Sequence, residues 1–162
     1  HRDLHSFPTR RSSDLCFLPY AAFSKWYGAK QVDIPLLQPH YDLDIEGILN
    51  AITARTKVIF LTSPNNPTGT YIPRAVLEKF LNRIPNNILI VFDEVYRHFA
   101  DVDDYVTALP YVLKGKNILG LNSFSKTYGF AGMRIGYPYT TKTIANYLRL
   151  IHKPFPMPLP SL

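Results

Sequence analysis

Segments patterned as strands alternate with segments patterned as short helices along most of the chain, and this constrains the fold more than any other sequence feature. Lys57 to Thr62 and Ile88 to Phe92 are nearly continuous apolar runs, the pattern of strands covered on both faces. Lys30 to Leu36, Asn117 to Asn122 and Met133 to Tyr137 read as further strands. Helices fall between them: Tyr20 to Tyr27, ended by Gly28; Asp44 to Ala54, with Ile45, Ile48 and Leu49 on one face; Pro73 to Arg83, with proline in its first turn; and Lys142 to Leu150. Strands alternating with helices of about ten residues predict an α/β fold, a mostly parallel sheet with helices on both faces.

The two ends break this pattern. His1 to Leu15, HRDLHSFPTRRSSDL, has no apolar period of 2 or 3.6 residues, so nothing in it predicts packed structure. It also resembles the translation of a sequencing adapter, and residues 1–15 are expected to be a non-native tail. At the other end Pro154, Pro156, Pro158 and Pro160 alternate, which removes every second N–H and predicts an extended segment over 153–162.

Composition narrows the function classes. With 162 residues, 46% apolar and 19% charged, the chain suits one soluble globular domain rather than a disordered one. Its apolar runs fall far short of the roughly 20 residues of a membrane helix, and no secretory leader opens it, so a cytoplasmic location is expected. Cys16 is the single cysteine and the five histidines lack metal-ligand spacing, which argues against a disulfide scaffold or a zinc site. The formal charge is +6, but Lys and Arg are dispersed rather than clustered, which argues against nucleic acid and suits a small anionic ligand.

In open parallel sheets, ligands bind beyond the carboxyl ends of the strands. Three such places carry polar groups directly against an apolar run: Ser63-Pro64-Asn65-Asn66-Pro67-Thr68-Gly69, Asp93-Glu94-Val95-Tyr96 and Ser123-Phe124-Ser125-Lys126. Each alone has a plain explanation as turn chemistry, a strand-end cap or a solvated lysine. One carboxylate, one lysine and Arg134 at a single sheet edge, with Asn66 and Tyr96 beside them, are together what a pyridoxal phosphate site requires. A pyridine nitrogen kept protonated needs a carboxylate, an aldehyde needs an amine, and a phosphate needs cations and hydroxyls.

SPNNPTGT, VFDEVY and NSFSKTYGFAGMRIGY, in this order and spacing, resemble the class I/II aminotransferases, fold type I pyridoxal-phosphate enzymes, and most resemble histidinol-phosphate aminotransferases. The resemblance runs from about Cys16 to Leu162 and implies that 16–152 is part of a large cofactor-binding domain. By resemblance, Lys126 bonds the cofactor and moves a proton at the substrate's α carbon; its amine must be neutral to do so, a form favoured by burial and a nearby Arg134. Asp93 is implied as partner of the pyridine nitrogen, and Asn66 and Tyr96 as partners of the phenolic oxygen. Ser123, Ser125 and Arg134 match the phosphate ligands, and Phe17 the aromatic ring stacked on the cofactor.

The family also has an upstream phosphate nest, a tyrosine reaching across a homodimer, and a small domain bearing the arginine that grips substrate. None of these is found in this chain, which is therefore expected to be inactive by itself. The resemblance implies transfer of an amino group between a donor, histidinol phosphate favoured, and a 2-oxo acid such as 2-oxoglutarate. A decarboxylase or carbon–sulfur lyase of the same fold, an aminotransferase-like regulator domain and an inactive gene remnant are the alternatives.

Overall fold

The computed structural model describes residues 9–11 and 19–151. Six strands, β1 (Thr9–Arg11), β2 (Gln31–Asp33), β3 (Val58–Thr62), β4 (Leu89–Asp93), β5 (Ile118–Ser123) and β6 (Gly136–Thr140), form one sheet in the order β2-β1-β3-β4-β5-β6. All neighbours pair in parallel except β5 and β6, which are antiparallel. Helices α1 (Pro19–Trp26), α2 (Ile45–Asn50), α3 (Arg74–Arg83), α4 (Leu109–Leu113) and α5 (Lys142–Ile151) complete the expected α/β architecture.

The core lies where the apolar runs meet the helices. Ile59, Leu61, Ile90, Phe92 and Ile118 of the central strands are buried with Leu77, Phe80 and Leu81 of α3 and Ile45 and Ile48 of α2. α2 begins where Asp44 Oδ1 accepts the backbone N–H of Gly47 at 2.8 Å, the side-chain cap expected of an N-terminal Asp.

Several element boundaries differ from expectation. β2 stops at Asp33, before Pro35, which cannot donate to a sheet ladder. α2 ends at Asn50, and a turn in which Thr56 N donates to Thr53 O takes over. The strand expected over Met133 to Tyr137 begins only at Gly136, because Ala131–Met133 forms a 3-10 turn and Arg134 is left-handed at φ 52°. Its Pro138 is tolerated because β6 is an edge strand. α4, with Tyr111 and Val112 buried, had no counterpart in the sequence reading.

Thr9–Arg11 also depart from the unstructured tail expected over 1–15, since they form β1 between β2 and β3. Ladder hydrogen bonds come from the backbone, so pairing needs no apolar period in the paired segment. The Pro-rich stretch at 153–162 lies outside the described residues.

Candidate active site

The parallel register sets the carboxyl ends of the central strands side by side. Thr62 of β3 pairs with Asp93 of β4, which in turn pairs with Leu121 of β5. The three polar segments therefore emerge next to one another at one sheet edge.

The segment after β3 is tied down by its own polar groups. Ser63 N donates to Asp93 O at 2.9 Å, and Ser63 Oγ accepts from Ile72 N at 2.9 Å. Asn65 N donates to Thr70 O at 2.7 Å, Gly69 N to Asn65 O at 2.8 Å, and Asn65 Nδ2 to Thr68 Oγ1 at 2.8 Å. Ser63, Pro64 and Asn65 are buried, and the turn leaves Asn66 at its exposed tip. Asn66 Nδ2 there donates to Tyr96 Oη at 3.4 Å.

Asp93 ends β4 half-buried. Its Oδ1 accepts the N–H of Val95 at 3.0 Å, and its Oδ2 accepts the hydroxyl of Tyr20 from α1. Burial pushes this carboxyl above the usual carboxylate range, while the bonds from Tyr20 and Val95 act in the opposite sense. The next residue, Glu94, faces elsewhere. It is fully buried and accepts the hydroxyl of Tyr139 from β6 and the N–H of Ala108. Burial raises its pKa to about 7 against those two bonds.

After β5 the chain makes a compact loop. Ser125 N donates to Ser123 Oγ at 3.0 Å, and the two hydroxyls lie 2.8 Å apart. Phe124 N donates to Ile135 O at 3.1 Å, Phe130 N to Phe124 O at 3.1 Å, and Gly129 N to Lys126 O at 3.0 Å. Gly129 takes φ 69° in this turn, a conformation open to glycine at no steric cost. Lys126 Nζ stands 5.6 Å from the centroid of the Tyr96 ring, within cation–π range.

The structure thus brings Asn66, Tyr96 and Lys126 together, sets Asp93 at the same edge, and joins Ser123 to Ser125. Arg134 is not joined to the serines by a hydrogen bond; its Nη1 donates to Ala131 O at 3.1 Å, and the residue is exposed. Its left-handed backbone is uncommon for a side chain with a Cβ, and such conformations cluster at functional sites. Lys126 is exposed rather than buried, in the loop that follows the end of β5. Phe17 lies outside the described residues. Beside Asn66 and Tyr96 opens a cleft of about 450 Å³, lined also by Tyr71, Phe99, Asp101 and Val102.

Tyr20 is the site-edge residue that sequence reading missed. Its place at the start of α1 gave no local sign of a partner 73 positions away.

The family model for aminotransferase class I and II matches residues 12–162. The chain belongs to that family. It is 37% identical over 145 residues to histidinol-phosphate aminotransferase 1 of Idiomarina loihiensis, covering 90% of this chain and 39% of that protein. It is 38% identical over 139 residues to the aromatic amino acid aminotransferase of Corynebacterium efficiens, covering 86% and 41%. The chain thus spans about two-fifths of the length of these relatives.

Among solved structures, the histidinol-phosphate aminotransferase of Sinorhizobium meliloti in complex with pyridoxal-5'-phosphate superposes with a TM-score of 0.81 at 27% identity, covering 91% of this chain and 39% of that one. The aspartate aminotransferase of Thermus thermophilus with maleate superposes at 0.80 and 26% identity, covering 90% and 38%. The class I and II aminotransferase fold is therefore shared across nearly the whole of this chain. Among the described residues no helix is long and apolar enough to cross a membrane.

Proposed function

We propose that the protein carrying this chain is a pyridoxal-phosphate-dependent aminotransferase that moves an amino group from histidinol phosphate to a 2-oxo acid such as 2-oxoglutarate. The observation that carries this reading is the convergence of Lys126 Nζ on the Tyr96 ring, with Asn66 bonded to Tyr96 and Asp93 at the same strand edge. The donor set suits the cofactor: a carboxylate for the ring nitrogen, an amine for the aldehyde, two donors for the phenolic oxygen, and hydroxyls and a guanidinium for the phosphate.

In this reading Asp93 holds the proton on the ring nitrogen, while Asn66 and Tyr96 donate to the phenolic oxygen. Ser123, Ser125 and Arg134 hold the phosphate. Bound there, pyridoxal phosphate supplies an electron-withdrawing ring that stabilises negative charge at the donor's α carbon. Lys126 would be the amine that holds the aldehyde end of the cofactor, and its Nζ, when free, would be the base that carries the proton removed from that carbon.

The working form is proposed to be a cytoplasmic homodimer, as the resemblance implies. The 162-residue chain by itself is proposed to bind pyridoxal phosphate weakly and to be inactive, a view supported by the exposure of Asn66, Lys126 and Arg134, whose contacts are screened by solvent in the isolated chain.

An aromatic amino acid is the second reading of the donor, favoured by relatives of that name at comparable identity. The test is a coupled assay of the protein carrying this sequence, with histidinol phosphate or phenylalanine as donor and 2-oxoglutarate as acceptor. Glutamate formation faster with histidinol phosphate supports the first donor, and the reverse order the second. Release of carbon dioxide or sulfide without consumption of 2-oxoglutarate rejects transamination.

A further inference from the structure

We propose that Tyr20 is a positioning residue for Asp93, holding its carboxylate in the orientation and charge state that pairs with the ring nitrogen of pyridoxal phosphate. The proposal rests on the cofactor reading above and adds to it a residue from a different part of the chain.

Three observations carry it. The Tyr20 hydroxyl donates to Oδ2 of Asp93 while the N–H of Val95 occupies Oδ1 at 3.0 Å, so each carboxylate oxygen is held by a separate donor. Two donors on two oxygens fix the plane of the carboxylate, and each oxygen keeps a further lone pair for a third partner. Tyr20 is itself immobilised: it is only 7% exposed, and its ring stacks on Phe60 of β3 with centroids 4.7 Å apart and planes 21° from parallel. The hydroxyl is thus delivered by a packed ring rather than by a mobile side chain.

The energetic logic follows from the position of Asp93 at the end of a buried strand. Removal from water favours the neutral acid, and a neutral acid makes a weaker partner for a pyridinium than a carboxylate does. A hydroxyl can donate to the charged form and so offsets part of the desolvation. It does this without introducing a positive charge that would compete with the pyridinium for the same carboxylate, as a lysine or arginine would.

Tyr20→Phe keeps the ring and its stacking on Phe60 while removing the donor. In the protein carrying this sequence, the variant is expected to raise the Kd for pyridoxal phosphate about tenfold, the scale of one hydrogen bond to a charged group. In an Asp93→Asn background the same change is expected to alter Kd less than about twofold, because the group it positions is gone. Equal losses in the two backgrounds would mean that Tyr20 acts only on packing, and would overturn the proposal.

A second readout needs no cofactor. In the apo protein with 13C-labelled aspartate, the Asp93 carboxyl should titrate at higher pH in Tyr20→Phe than in the parent. An unmoved titration, or one moved to lower pH, overturns the proposed hold on charge state. Failure of the parent to bind pyridoxal phosphate overturns the cofactor reading and with it the ligand assigned to this pair; the apo titration then decides separately whether Tyr20 governs Asp93.

Discussion

The hydroxyl of Tyr139 on the antiparallel edge strand donates to the buried carboxyl of Glu94, the residue immediately after Asp93. The same tyrosine ring crosses Gly120 of β5 so closely that a Cβ there would stand 2.3 Å from Cζ. One ring therefore links β6, β5 and the segment after β4, and stiffens the strand ends from which Asp93 and Ser123 project.

Glu94 makes stability depend on pH. Burial lifts its pKa from an ordinary 4.5 to about 7 in the folded protein. A group whose folded pKa is raised contributes stability that is fully present below its unfolded pKa and is lost as pH rises through the folded one. Stability from this residue is therefore present at pH 4.5 and gone above about pH 7, a difference of about 3 kcal/mol. Glu94→Gln, which still accepts the Ala108 N–H and bonds Tyr139, should flatten that dependence. Urea unfolding at pH 5 and pH 8 checks it: the parent should lose more stability between the two than the variant, and equal losses would remove Glu94 as the cause.

Gly120→Ala should destabilise the sheet by about 1–3 kcal/mol. The added methyl meets the Tyr139 ring, and that ring cannot swing aside without giving up its bond to Glu94. A shift of the denaturation midpoint at unchanged slope is the expected readout, whereas a loss below about 0.5 kcal/mol would show that the ring relaxes freely.

How much of this was legible in sequence divides along physical lines. β3, β4 and β5 are apolar runs stopped abruptly by polar residues, so both the strands and the chemistry at their ends can be read locally. Arg10 paired with Ile59 cannot, because a ladder made by backbone groups leaves no mark in side-chain pattern. Tyr20 and Asp93, 73 positions apart, meet only through the packing of α1 on the sheet, and no spacing rule reaches across that distance. Arg134 was identified by its offset from Lys126, but its left-handed backbone and its bond to Ala131 O come from the folded turn.

Asp93→Asn tests the partner assigned to the ring nitrogen. The substitution preserves shape and the Val95 contact but removes a charge-assisted bond worth roughly 1.5–3 kcal/mol, and the rate of amino transfer should fall by about one to two decades. Turnover within about twofold of the parent would take Asp93 out of the mechanism.

The most direct test of the account is covalent trapping at Lys126. Incubation of the protein carrying this sequence with pyridoxal phosphate, reduction with borohydride and peptide mapping should place the pyridoxyl label on the peptide containing Lys126. Lys126→Ala should lose the label while keeping its fold, since an exposed loop side chain contributes at most about 0.5 kcal/mol. Label on another lysine of the parent, or labelling undiminished in Lys126→Ala, would contradict the site described for Asn66, Asp93, Tyr96 and Lys126.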